Sequence, residues 1–265
     1  MTSAATRWRS ALEARAIPAS ILARAPASPH GFSVEVFSRI ADDAVAGPPD
    51  PSTRRADDGL PDGGDVLDVG CGAGSASLPI AARAGRLIGV DESAGLLEAF
   101  AARADRLGVD HVEINGWWPD VAGAVPSADV VVCRHVAYNV PDLDPFLRRL
   151  TDHARRRVVL HLTLEHPLAW MAPYWQRLHG LTVTEGPGLD DAVEVAAEAE
   201  IEVEIERWDE SFDLAGRGVE EHLAFLRRRL CLADDRDDEL RAALADLGLD
   251  PVRPVATVWW PGTAR

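Results

Sequence analysis
With 265 residues, 47% of them hydrophobic, and no long uncharged apolar stretch, the chain suits one large domain or one domain with a helical appendage, and no membrane span is expected. Acidic residues outnumber basic ones 43 to 27, for a net charge of −16, which argues against a nucleic-acid partner, because phosphate binding needs a basic surface. Every basic residue is Arg, so a lysine base or Schiff base is excluded. Cys71, Cys133 and Cys231 are scattered without disulfide or metal-ligand spacing, and no apolar core follows Arg7, Arg9 and Arg15, so a cytoplasmic protein without a leader is expected.

Residues 1–60 read as an N-terminal helical cap and loop, with helical pieces at 8–15, 18–24 and 32–43 and a Pro-, Asp- and Gly-rich loop over 47–64. Residues 61–167 read as a core of alternating elements. Strands are predicted at 65–69, 86–90, 111–115, 128–134 and 157–163, and helices at 75–84, 93–107 and 143–154. This is the pattern of an α/β, doubly wound, mostly parallel sheet. Residues 168–265 form a more irregular C-terminal part, with an aromatic-rich segment over 168–178, a helix over 190–199 and a strand over 201–208. Amphipathic helices at 219–230 and 237–247 and a strand at 255–260 complete it.

The informative stretch is Val66-Leu-Asp-Val-Gly-Cys-Gly-Ala-Gly-Ser75, an apolar strand running into glycines at alternate positions. Gly70, Gly72 and Gly74 lack a Cβ, which lets a ligand approach the backbone. Asp91 closes the next apolar run, about twenty residues beyond the first glycine, where a nucleoside-binding strand places its ribose carboxylate. A dinucleotide fingerprint needs a late glycine where this chain has Ser75, although another Rossmann-like NAD or nucleotide site shares much of the pattern.

From about Gly64 to Pro167 the chain resembles the class I S-adenosylmethionine-dependent methyltransferases, in its first motif Asp68-Val-Gly-Cys-Gly-Ala-Gly74, in the placement of Asp91 and in the strands that follow. The resemblance implies a Rossmann-like, seven-stranded sheet with a reversed last strand, closed by a hairpin of the strands at 201–208 and 255–260, with lid helices inserted between them. It implies S-adenosylmethionine as methyl donor and cosubstrate. Asp68, Gly70, Cys71, Gly72, Gly74, Asp91 and Glu92 would bind it, with Asp68 near its methionine amino group and Asp91 on both ribose hydroxyls. Trp117 occupies the slot where the family has an acidic residue for adenine, and could stack on the base or simply wall the pocket.

Arg134 would face the donor from the loop after the fourth strand, and His135 and Tyr138 could serve the acceptor. Beyond the fifth strand, which carries His161, either Glu165 or His166 could act as a base, and the catalytic candidates are His135, Tyr138 and His166. Asn139 fits equally a substrate contact or a helix start, and the histidines also fit structural roles. No metal constellation is evident, so metal-dependent transfer is disfavoured. The reading is in-line O- or N-methylation of a small organic acceptor. A protein or RNA-associated acceptor, or a non-catalytic donor-binding module, is the alternative. Oligomeric state is not legible.

Overall fold
The computed structural model describes residues 2–31, 33–211, 219–248 and 252–265. Seven strands form one sheet: β1 (Gly64–Val69), β2 (Ala84–Asp91), β3 (Asp110–Asn115), β4 (Ala128–Arg134), β5 (Ala154–Thr163), β6 (Glu204–Ser211) and β7 (Val252–Pro261). Their order is β3-β2-β1-β4-β5-β7-β6, and β7 runs antiparallel to both of its neighbours. The central strands read as continuous apolar runs because both faces are covered: Val66, Leu67 and Val69 of β1 and Val130, Val131 and Val132 of β4 are all buried.

Ten helices are described: α1 (Ala4–Glu13), α2 (Ala19–Leu22), α3 (Val34–Ala46), α4 (Pro51–Gly59), α5 (Ala94–Leu107), α6 (Leu143–His153), α7 (Ala172–His179), α8 (Leu189–Glu198), α9 (Val219–Arg229) and α10 (Asp237–Leu247). One apolar core joins Trp8 of α1 and Phe146 of α6 to Leu67, Val131 and Val258; the other joins Ala41, Ala56 and Phe100 to Val66, Leu87 and Val159. A third cluster packs α7, α9 and α10 around Met171, Tyr174 and Leu226, with Ile21 of α2. No helix among the described residues is long and apolar enough to cross a membrane.

Two elements differ from the sequence expectation. The helix predicted at 75–84 is absent: turns follow Gly72, a single 3-10 turn covers Leu78–Ile80, and β2 has begun by Ala84. Pro79 removes a helical donor, and the span between the glycine turn and β2 is too short for a stable helix and its exit. The loop predicted over 47–64 instead contains α4. Asp50 accepts from the Thr53 N–H at 2.7 Å and Pro51 occupies the first turn, a strong start signal. Its inward face, Ser52, Thr53, Ala56 and Gly59, is small rather than apolar, which hid it from a hydrophobic-periodicity reading. Helix α3 starts at Val34, capped by Ser33, and Phe32, the first residue of the expected helical piece, lies outside the described residues.

Candidate active site
The glycine turn follows β1 directly. The N–H groups of Gly70 and Cys71 both donate to Val90 O, at 2.8 and 3.0 Å, tying the turn to the end of β2. Gly70, Gly72 and Gly74 all have positive φ, and a Cβ on Gly70 would lie 2.3 Å from Val136 Cγ2. Phe37 of α3 lies over Gly72, where a Cβ would meet its ring at 3.2 Å, and Val34 lies beside Gly95. Helix α3 therefore roofs the turn, and it is tied down by Asp42, which pairs with Arg103 at 2.8 Å and Arg106 at 3.0 Å.

Two carboxylates flank the turn. Asp91 accepts from the Gly72 N–H at 2.9 Å through Oδ2 and from the Ser93 N–H at 2.9 Å through Oδ1. Each oxygen keeps a second lone pair for a hydroxyl. Asp68 is buried beneath the turn and accepts from Ser77 Oγ at 2.6 Å, while its Oδ1 is buried with no hydrogen-bond partner. Burial, reinforced by the Asp91 charge against the Ser77 bond, pushes the Asp68 carboxyl up to about 7. Cys71 is buried in the same turn, and its thiol is raised well above the usual range by burial.

At the carboxyl ends of β4 and β5 lies a second, charged cluster. Arg134 donates to Asp50 Oδ2 at 2.7 Å and to Glu210 Oε1. Arg253 donates to Glu210 Oε2 from Nε at 2.7 Å, and its Nη2 donates to His135 Nε2 at 2.9 Å. An arginine N–H can only donate, so His135 Nε2 accepts and the proton sits on Nδ1, which is buried without a partner. His135 takes a positive φ of 57°, strained for a non-glycine residue. Burial, with Arg253 beside it, pulls its pKa down to about 4.

His161 stacks edge-on to His135, with centroids 4.4 Å apart, and is 1% exposed. A chain of hydrogen bonds fixes its tautomer: Trp208 Nε1 donates to Thr257 Oγ1 at 3.1 Å, Thr257 and Ser52 hydroxyls are 2.7 Å apart, and Ser52 Oγ is 3.1 Å from His161 Nδ1. Every hydroxyl proton has an acceptor only if Thr257 donates to Ser52 and Ser52 to His161. The His161 proton is then on Nε2, which is buried without a hydrogen-bond partner, 3.6 Å from Glu210 Oε1. Burial and the neighbouring Arg134 keep this imidazole neutral. Burial alone would raise the Glu210 pKa, but the positive charge around it, Arg134 included, outweighs it and holds the carboxyl well below its usual range.

His135, His161 and Glu210 also have the donor types of a metal site, with ligand atoms within 4.8 Å of one another. The charges argue otherwise. Both Glu210 oxygens are engaged by guanidinium groups, one of which also occupies His135 Nε2. A divalent cation there would have to displace two arginines from the cluster's carboxylate.

The remaining predicted residues fall around these two centres. Tyr138 and His166 meet edge-on at 5.4 Å. The Tyr138 hydroxyl donates to Thr163 O at 2.6 Å and is pushed up to about 12 by burial. His166 Nδ1 accepts from the Leu168 N–H, and burial, with Arg15 nearby, lowers its pKa to about 3. Glu92 is exposed beside Asp91, and its carbonyl accepts from Asn115 Nδ2 at 2.9 Å. Trp117 is 49% exposed at the end of β3, whereas Trp118 is buried against His153. Arg134 is saturated on two sides by Asp50 and Glu210. Asp50, Glu210 and Arg253 escaped the sequence reading; only an Asp-Pro helix start at Asp50 signalled anything.

A glycine turn after β1, an acidic residue at the end of β2 and a sheet ending in an antiparallel seventh strand define the class I, Rossmann-like methyltransferase fold. Residues 66–157 match the family described as methyltransferase domain. An uncharacterized protein of Haemophilus influenzae is 34% identical over 96 residues, 36% of this chain and 35% of the relative. The ubiquinone biosynthesis O-methyltransferase of Azorhizobium caulinodans is 36% identical over 84 residues, 32% of this chain and 33% of that protein. The chain thus matches about a third of the length of these curated relatives. A methyltransferase from Geobacter sulfurreducens, solved with S-adenosylhomocysteine, superposes with a TM-score of 0.52 at 18% identity, covering 84% of this chain and 98% of that one.

Proposed function
We propose that the protein transfers a methyl group from S-adenosylmethionine to a small organic acceptor, on oxygen or nitrogen, by in-line displacement. The observation that carries the donor half is the convergence of the three positive-φ glycines, Asp91 and the unpartnered Asp68 Oδ1 on one turn. The orphaned carboxylate oxygen suits an ammonium group, and the Asp91 lone pairs suit vicinal hydroxyls, so these residues fit the donor. When bound, the donor supplies an activated methyl on a sulfonium. The chain's task is then alignment, which can supply about 7–11 kcal/mol. His135, Tyr138 and His166 stand on the acceptor side of this reading, and Trp117 and Glu92 on the adenosine side. The net charge of −16 supports a small acceptor over nucleic acid.

Tritiated donor incubated with a small-molecule extract, and separately with protein, tests the acceptor class: label in the small-molecule fraction is expected, and label in protein alone would overturn it. Donor affinity should also depend on pH through Asp68. An ammonium needs the carboxylate ionised, so affinity for S-adenosylhomocysteine should fall as pH drops below about 7, by up to about tenfold per unit. In the free protein the sign is reversed. A raised carboxyl pKa contributes stability below the ordinary carboxylate range, lost as pH rises through about 7. Asp68→Asn keeps the Ser77 bond, so it should flatten the binding profile and gain thermal stability over the parent at pH 8 but not at pH 4. Calorimetry and melting curves at the two pH values check both.

A further inference from the structure
The charged cluster beyond the donor turn has more donors than its one shared acceptor uses. Glu210 receives Arg134 on Oε1 and Arg253 on Oε2, while His135 and His161 flank it at 3.5 and 3.6 Å. Two buried imidazole nitrogens, His135 Nδ1 and His161 Nε2, remain without a hydrogen-bond partner. Apart from Glu210, the charges are two arginines and Asp50, a net of one positive. The cluster therefore accommodates one anion. It is shaped for a planar anion with two oxygens, since each guanidinium takes a different oxygen of Glu210.

The position of Glu210 is informative as well. It is the last residue but one of β6, an edge strand paired only with β7, so its side chain can turn outward without opening the sheet interior. Arg134, His161 and Arg253, by contrast, come from β4, β5 and β7, with His135 just after β4, at the end where open α/β sheets receive ligands.

We propose that Arg134, Arg253 and His161 form a carboxylate subsite for the acceptor, with His135 holding Arg253 in place, and that Glu210 is an internal stand-in. The acceptor is then a small organic acid, anchored by its carboxylate while another atom is methylated. This inference rests on the methyl-transfer reading, deepening it by naming the substrate class.

The test uses wild-type protein saturated with S-adenosylhomocysteine, titrated calorimetrically with benzoate, benzamide and phenyl phosphate. Benzoate is expected to bind, benzamide not, and phenyl phosphate more weakly than benzoate. Arg253→Met should weaken benzoate by roughly tenfold or more while S-adenosylhomocysteine affinity holds. In parallel, formate should raise the melting temperature of Glu210→Ala by more than that of the wild type, where chloride raises neither. Equal binding of benzoate and benzamide, a preference for phosphate, or benzoate binding that survives Arg253→Met would overturn the subsite. Where Glu210→Ala fails to fold, the titration decides alone. Failure of the wild type to bind S-adenosylhomocysteine at all sinks the methyl-transfer reading itself. Donor binding without carboxylate binding sinks only the subsite.

Discussion

Replacing Asp91 with Ala is expected to weaken S-adenosylhomocysteine binding by roughly 100-fold or more. Two effects add. In the proposed donor site the carboxylate would accept from two ribose hydroxyls, and charge-assisted hydrogen bonds are about twice as strong as neutral ones. It also accepts from the Gly72 and Ser93 N–H groups, so its loss unties the glycine turn from the start of α5. Asp91→Asn keeps one acceptor oxygen and should fall between parent and Ala. Calorimetric titration of the three proteins at one pH checks the order, and an unchanged affinity in Asp91→Ala would show that the ribose assignment is wrong.

The second large effect concerns stability. Glu210→Ala leaves the Arg134 and Arg253 guanidinium groups facing a carboxylate that is gone, in surroundings where Glu210 itself is 12% exposed by side chain. Breaking a buried ion pair by removing one partner costs about 3–5 kcal/mol, because the surviving charge is left desolvated. A loss of that size should appear in urea unfolding at neutral pH. Asp50 compensates Arg134 in part, which places the expected value at the lower end of that range. Replacing the carboxylate and Arg253 together by methionines should recover part of the loss, since an apolar pair has no charge to strand. A double variant no more stable than Glu210→Ala would show that the cluster's contribution is not electrostatic.

The glycine turn and the acid beside it were legible because their information is local. An apolar strand, alternate glycines and an acid at the end of the next strand are all read within Val66 to Asp91, and backbone geometry at that spacing leaves little freedom. The strands were legible for a similar reason, since double-sided burial writes itself as runs such as Val130-Val131-Val132. Helix α4 was not, because a helix packed closely on a sheet can use Ser52, Thr53, Ala56 and Gly59 and so shows no apolar stripe. The expected helix after the glycine turn failed for the opposite reason, as its composition allowed it but Pro79 and the early onset of β2 left no room.

The charged cluster lies furthest from what a linear reading can find. Arg134 meets Asp50 across 84 positions and Glu210 across 76, and Glu210 meets Arg253 across 43. Nothing in the spacing of these residues marks them as neighbours. Only the sheet order, which sets β7 between β5 and β6, brings them together. His135 and His161 were noticed singly, one on the loop after the fourth strand and one in the fifth, but their pairing depends on the parallel register that aligns Arg134 with His161.

Cys71 gives the roofed glycine turn a kinetic signature. Its thiol lies buried in the turn, its sulfur beside Gly89 of β2, so a thiol-directed reagent can reach it only in molecules whose turn has opened. The labelling rate of Cys71, separated from those of Cys133 and Cys231 by peptide mapping, therefore counts opening events one molecule at a time. Loosening the Asp42–Arg103 tie would quicken that clock, and a ligand filling the turn would stop it.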